Sequence, residues 1–157
     1  MLSVIHHRGP DGDGTATADG VTLGHRRLSI LGVGPTGAQP MIRRDVALTF
    51  NGEIYNYIEL RRALKAMGHT FSSRSDTEVL LASYLEWGDS FVERLDGMWA
   101  FELHDRRADT LLLSRDRFGE KPLLLGRKGG SLYFASEHRQ LREVGIGLEP
   151  NMGTVLE

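Results

Sequence analysis

The chain has 157 residues, 40% of them hydrophobic and 25% charged, with a formal net charge of −2 and no cysteine. That balance suits one soluble domain burying about two-thirds of its unfolded surface, and it gives no electrostatic case for nucleic acid or an anionic membrane. Zero cysteine removes disulfides, thiolate metal sites and any thiol nucleophile from these residues, and the lack of a membrane-length apolar run or signal-peptide core makes the cytoplasm the expected location.

Met1 to His7 is too short to assign. Arg8-Gly9-Pro10-Asp11-Gly12-Asp13-Gly14 is predicted as a loop, because Gly and Pro at that density oppose regular structure. Asp11 and Asp13 resemble the opening of a calcium loop, but its glycine and bidentate glutamate positions hold Ala16 and Thr22, so calcium is rejected. The adjacent His6 and His7 are not one helical turn apart, which argues against a metal. Val21 to Leu31 reads as a strand that carries Arg26 and Arg27. Those arginines read either as surface partners of carboxylates or as a guanidinium fork for a substrate carboxylate.

After a loop over Gly32 to Pro40, Met41 to Asp45 leads into the apolar run Val46 to Phe50, a buried strand. Thr49-Phe50-Asn51-Gly52-Glu53-Ile54-Tyr55-Asn56 follows, where a strand end can aim a side-chain amide and a main-chain N–H at one oxygen. Asn51-Gly52 reads equally well as a hairpin turn. Leu60, Ala63, Leu64 and Met67 share one helical face, with Asn56 as N-cap and Gly68 as the stop. Phe71 to Arg74 is a short strand or loop. Ser75-Asp76-Thr77-Glu78 forms a capping box for a helix ending near Gly88. Asp76 either complements that helix dipole or receives a substrate ammonium. Ser90 and Glu93 open a short helix that closes at Gly97.

Met98 to His104 and Thr110 to Arg115 are strands flanking a hairpin loop, and Leu123 to Gly126 and Ser131 to Ala135 form a second hairpin. Asp116 to Pro122 is a charged loop between the pairs, Ser136 caps a last helix through Leu141, and Pro150 to Glu157 is a tail. Together these elements predict one α+β domain with helices outside two packed sheets.

Six blocks carry a family resemblance: His7 to Gly12, Arg27 to Ile30, Gly37 to Met41, Asn51 to Asn56, Ser75 to Glu78 and Arg115 to Leu123. Their order and spacing resemble the glutaminase domain of glutamine-hydrolysing asparagine synthetase, a class II glutamine amidotransferase. The resemblance implies a four-layer αββα sandwich of the N-terminal nucleophile hydrolase type. It also implies L-glutamine as ligand: Arg27 for its carboxylate, Asn51 and Gly52 as oxyanion-hole donors, and Glu53 and Asp76 for its α-amino group. Leu28, Ile30 and Leu31 would line the pocket beside them, and all these groups are expected around one hollow.

The family's nucleophile is an N-terminal cysteine with its own amine as base. The resemblance therefore implies a single partial domain, residues 1–157, without its first strand and inactive by itself. A synthetase domain with its pyrophosphate loop is expected to be absent too. ATP and magnesium would belong to that domain, so no cofactor is expected in this chain. A separate synthetase domain or subunit is the expected partner. Two further readings stay open, a glutamine-binding regulatory pseudoenzyme and a structural module docking on a synthetase subunit.

Overall fold

The computed structural model describes residues 1–28 and 37–147. Strands β1 (Gly12–Ala18) and β2 (Val21–Arg27) form one antiparallel pair. Strands β3 (Met41–Arg43), β4 (Val46–Ile54), β5 (Gly97–Asp105) and β6 (Thr110–Arg115) form a four-stranded antiparallel sheet in that order. A second pair joins β7 (Leu124–Lys128) and β8 (Ser131–Ala135). The helices are α1 (Tyr57–Ala66), α2 (Asp76–Trp87) and α3 (His138–Glu143), with 3-10 turns at Ser3–Arg8 and Gly88–Arg94.

Period-2 alternation gives the central sheet two chemically different faces. Val46, Leu48, Phe50 and Ile54 of β4 and Trp99, Phe101 and Leu103 of β5 point one way, into a buried core with Val79, Leu80 and Leu81 of α2 and with Phe91. Helix α1 packs on α2, so both helices cover this face. On the other face Thr49, Asn51, Ala100 and Glu102 look into a hollow of about 740 Å³. Residues of β1, β2 and β8 bound that hollow across from them, and α3 packs on β8. Helix, sheet, sheet and helix follow in order, as the expected αββα sandwich requires.

Several local expectations are corrected. β4 does not stop at Phe50; it runs through Ile54, because Asn51, Gly52, Glu53 and Ile54 stay in register with Ala100, Trp99, Met98 and Gly97. The hairpin reading of Asn51-Gly52 fails for the same reason, and the chain passes directly into α1. The expected loop over Gly12-Asp13-Gly14 is the start of β1, since pairing with Arg27, Arg26 and His25 overrides the local glycine signal. Asn56 makes no side-chain cap. Its amide instead donates to the Arg94 carbonyl at 2.9 Å and accepts from the Asp96 N–H at 3.1 Å, tying α1 to the turn before β5.

Ser75 caps α2 as expected, accepting from the Glu78 N–H at 3.2 Å. The Glu78 carboxylate, however, turns to the Ser72 and Ser73 N–H groups rather than completing the box. In α3 the cap is Glu137, one residue past the expected Ser136, with Gln140 closing a capping box. The charged loop after β6 is organised by Asp116, whose carboxylate accepts from the N–H groups of Trp99, Phe118, Glu120 and Lys121. Burial pushes that carboxyl up, but these donors outweigh it and hold it below the usual aspartate range.

Candidate functional site

The site is built on the last residues of β4. Asn51 sits on the hollow-facing side of the strand, opposite the small Ala100. Its Nδ2 is buried and has no hydrogen-bond partner among the described residues. A buried donor left open in this way costs free energy unless a ligand takes it. Gly52 follows because no larger residue fits: a Cβ there would strike the Met98 carbonyl oxygen and lie 2.8 Å from the Trp99 Cα. The close approach of β5 thus sets the backbone on which the amide is mounted.

Two acids gather at the same strand end. Asp76, in the first turn of α2, is buried and accepts from the Ile54 N–H at 3.2 Å and from its neighbour Thr77 N–H at 2.9 Å. Burial pushes its carboxyl up; these backbone donors partly offset that, and the nearby Glu53 charge adds to it. Glu53 itself is exposed. Two carboxylates close enough to repel form a place where an ammonium is welcome, since a cation between them relieves the repulsion.

Arg27 ends β2, its carbonyl accepting from the Asp11 N–H at 3.0 Å. It lies near enough to His25 for its charge to help hold that imidazole neutral. Burial is the main cause, and together they push His25 down to about 4. His25 and Arg26 line the hollow with Asn51, whereas Arg27, Gly52, Glu53 and Asp76 stand outside its walls. The expectation of one hollow shared by all of them is thereby corrected: Asn51 faces the hollow, while Asp76 comes from α2, which packs on the other face of the sheet. Leu28 is 57% exposed, and Ile30 and Leu31 lie outside the described residues. Among the described residues no group of three or more His, Asp or Glu is placed to hold a metal ion.

Two residues escaped the sequence reading. Gln39 clamps the β4 backbone one residue before Asn51, accepting from the Phe50 N–H at 2.6 Å and donating to the Phe50 carbonyl at 3.1 Å. Glu102 lies on the Asn51 side of β5 and accepts from the Thr49 hydroxyl at 2.6 Å. Its signal was visible as a charge inside the apolar run from Met98 to Leu103.

A model of the glutamine amidotransferase domain matches residues 1–154. The chain belongs to that family. Similar proteins include glutamine-hydrolyzing asparagine synthetase 1 of Bacillus subtilis strain 168, 46% identical over 143 residues that cover 90% of this chain and 22% of that protein. Asparagine synthetase B of Escherichia coli strain K12 is 43% identical over 144 residues, 90% of this chain and 26% of that protein. The chain therefore spans about a quarter of the length of these glutamine-hydrolyzing relatives. Among solved structures, the glutamine phosphoribosylpyrophosphate amidotransferase of B. subtilis, complexed with ADP and GMP, superposes with a TM-score of 0.69 at 28% identity. It matches 80% of this chain and 29% of its own. The amidotransferase fold of the N-terminal nucleophile type is thus shared, and it explains why the polar strand end faces a hollow between two sheets.

Proposed function

We propose that this chain is the glutamine-holding part of an asparagine-forming amidotransferase. In this reading Arg27 takes the α-carboxylate of L-glutamine, and Glu53 and Asp76 take its ammonium. Asn51 and Gly52 address the side-chain amide oxygen. The observation that supports it is the buried Asn51 Nδ2 at the wall of the hollow, which has no partner among the described residues. In a glutamine amidotransferase domain, a donor of that kind fits an oxygen that becomes negative during acyl transfer.

The reaction of the complete enzyme, glutamine to glutamate with ammonia for amidation of aspartate, needs a nucleophile. No cysteine occurs in the 157 residues, so an attacking thiol has to come from another segment. A synthetase partner using ATP and magnesium would supply the other half of the reaction. By itself the chain binds glutamine without hydrolysing it. Calorimetry tests this: glutamine is expected to bind weakly, Arg27→Ala to abolish the heat and Asn51→Ala to weaken it. No heat with the unmodified chain, or unchanged affinity in Arg27→Ala, would overturn the pocket. Glutamate release by the purified chain, lost in Asn51→Ala, would overturn the inactive state.

A further inference from the structure

The wall that holds Asn51 carries a second polar group that the glutamine reading does not use. In the β4–β5 register Asn51 lies opposite Ala100 and Thr49 lies opposite Glu102. Asn51 and Glu102 are therefore diagonal neighbours on one sheet face, spaced roughly 7–8 Å apart. All four residues line the hollow. Ala100 stands opposite Asn51 and two residues before Glu102 on β5, and it puts only a methyl on this wall.

We propose that Glu102 is a specificity-determining residue of this pocket. Its carboxylate accepts from the –NH2 of a ligand's primary carboxamide while Asn51 donates to the carbonyl of the same group, so that an amide is chosen over the corresponding acid. The proposal rests on the glutamine reading above. The chemistry agrees: the Asn51 donor and the Glu102 acceptor lie on one wall, and a primary carboxamide presents an acceptor and a donor side by side. Thr49 donates to Oε2, which orients the carboxyl along the wall.

The other charged or titratable groups on the walls do not duplicate this role. Arg26 is committed to the Gly9 carbonyl, Asp13 and His6, and Arg8 to Glu137. His25 is held neutral, and β8 contributes Tyr133. Glu102 is the one acidic residue on the walls among the described residues. Burial pushes its carboxyl up to about 7, against the opposing Thr49 hydrogen bond. Above that pH the ionised group accepts from an amide and repels a carboxylate. Below it, the protonated group can donate to a carboxylate, and the discrimination is lost.

The test is calorimetry of the full chain with L-glutamine and L-glutamate at about pH 6 and about pH 8, on either side of this titration. In the unmodified chain the preference for glutamine is expected to rise at least about tenfold between the two, as like charges are brought together. In Glu102→Gln and Glu102→Ala the preference should no longer change with pH. Circular dichroism checks that the variants fold, and Glu102→Gln preserves both volume and a hydrogen bond from Thr49. A preference independent of pH in the unmodified chain, or one that still changes with pH in both variants, overturns the proposal. Failure of glutamine to bind the unmodified chain sinks the pocket reading and this one with it. Binding that needs Arg27 and Asp76 but ignores Glu102 sinks this one alone.

Discussion

The two faces of β4 and β5 were made from the same strands for opposite purposes. Towards the helices, Phe50 pairs with Phe101 and Leu48 with Leu103, all four side chains apolar and buried. Towards the hollow, the neighbouring residues are Thr49, Asn51 and Glu102, which carry an unmatched amide donor and a carboxyl displaced from its ordinary range. The first face holds the sheet in place, and the second spends part of that stability on groups that await a ligand. What this teaches is that a site of this kind requires a stiff sheet, because only β5 behind β4 keeps Asn51 and Gly52 extended.

The largest expected effect lies on the helix face. Phe101→Ala should cost about 3–5 kcal/mol, since its ring is fully buried against Phe91 and its removal leaves a cavity. Urea unfolding measures this, and a loss below about 1 kcal/mol would show that the helix face is not the main support.

Next in size is Glu102→Gln, with the opposite sign. A carboxyl at about 7 in the fold and near 4.5 when unfolded binds more protons in the native state between those values, so stability falls as pH rises through that window. Glutamine has no such dependence. The stability of Glu102→Gln relative to the unmodified chain should therefore grow by roughly 3 kcal/mol from about pH 4.5 to about pH 7 and then level off. A constant difference across urea midpoints at several pH values would contradict the buried carboxyl assigned to this face.

Asn51→Ala should change stability least, by under about 1 kcal/mol in either direction, because among the described residues the amide nitrogen has no hydrogen bond to lose. Its effect belongs in ligand binding. If thermal unfolding showed a loss as large as that of Phe101→Ala, the two faces would not be separable into support and site.

Much of this was legible from the sequence. The helical face of Leu60 and Leu64, the Ser75 cap of α2 and both hairpins after Met98 are encoded within a few residues of each other, so periodicity and capping chemistry suffice. The family blocks also named Asn51, Gly52, Glu53 and Asp76, and the fold brings these to one end of β4. Other features depended on partners distant in the chain. Asn51-Gly52 is a turn signal by itself, and it is a strand here only because residues 97–100 pair across it. Asn56 is a capping residue by type, and it became a clamp on Arg94 and Asp96 because those groups lie within reach in the fold.

The chain by itself determined the Ser75 start of α2, which strands are apolar, and the kinship that links its scattered motifs. Only the tertiary structure decided that β4 continues past Phe50, that Gln39 grips its backbone, and that Glu102 shares a wall with Asn51. The reason is range: caps and periodicity act over one or two turns, while register and facing are set by pairing with a strand some fifty residues away.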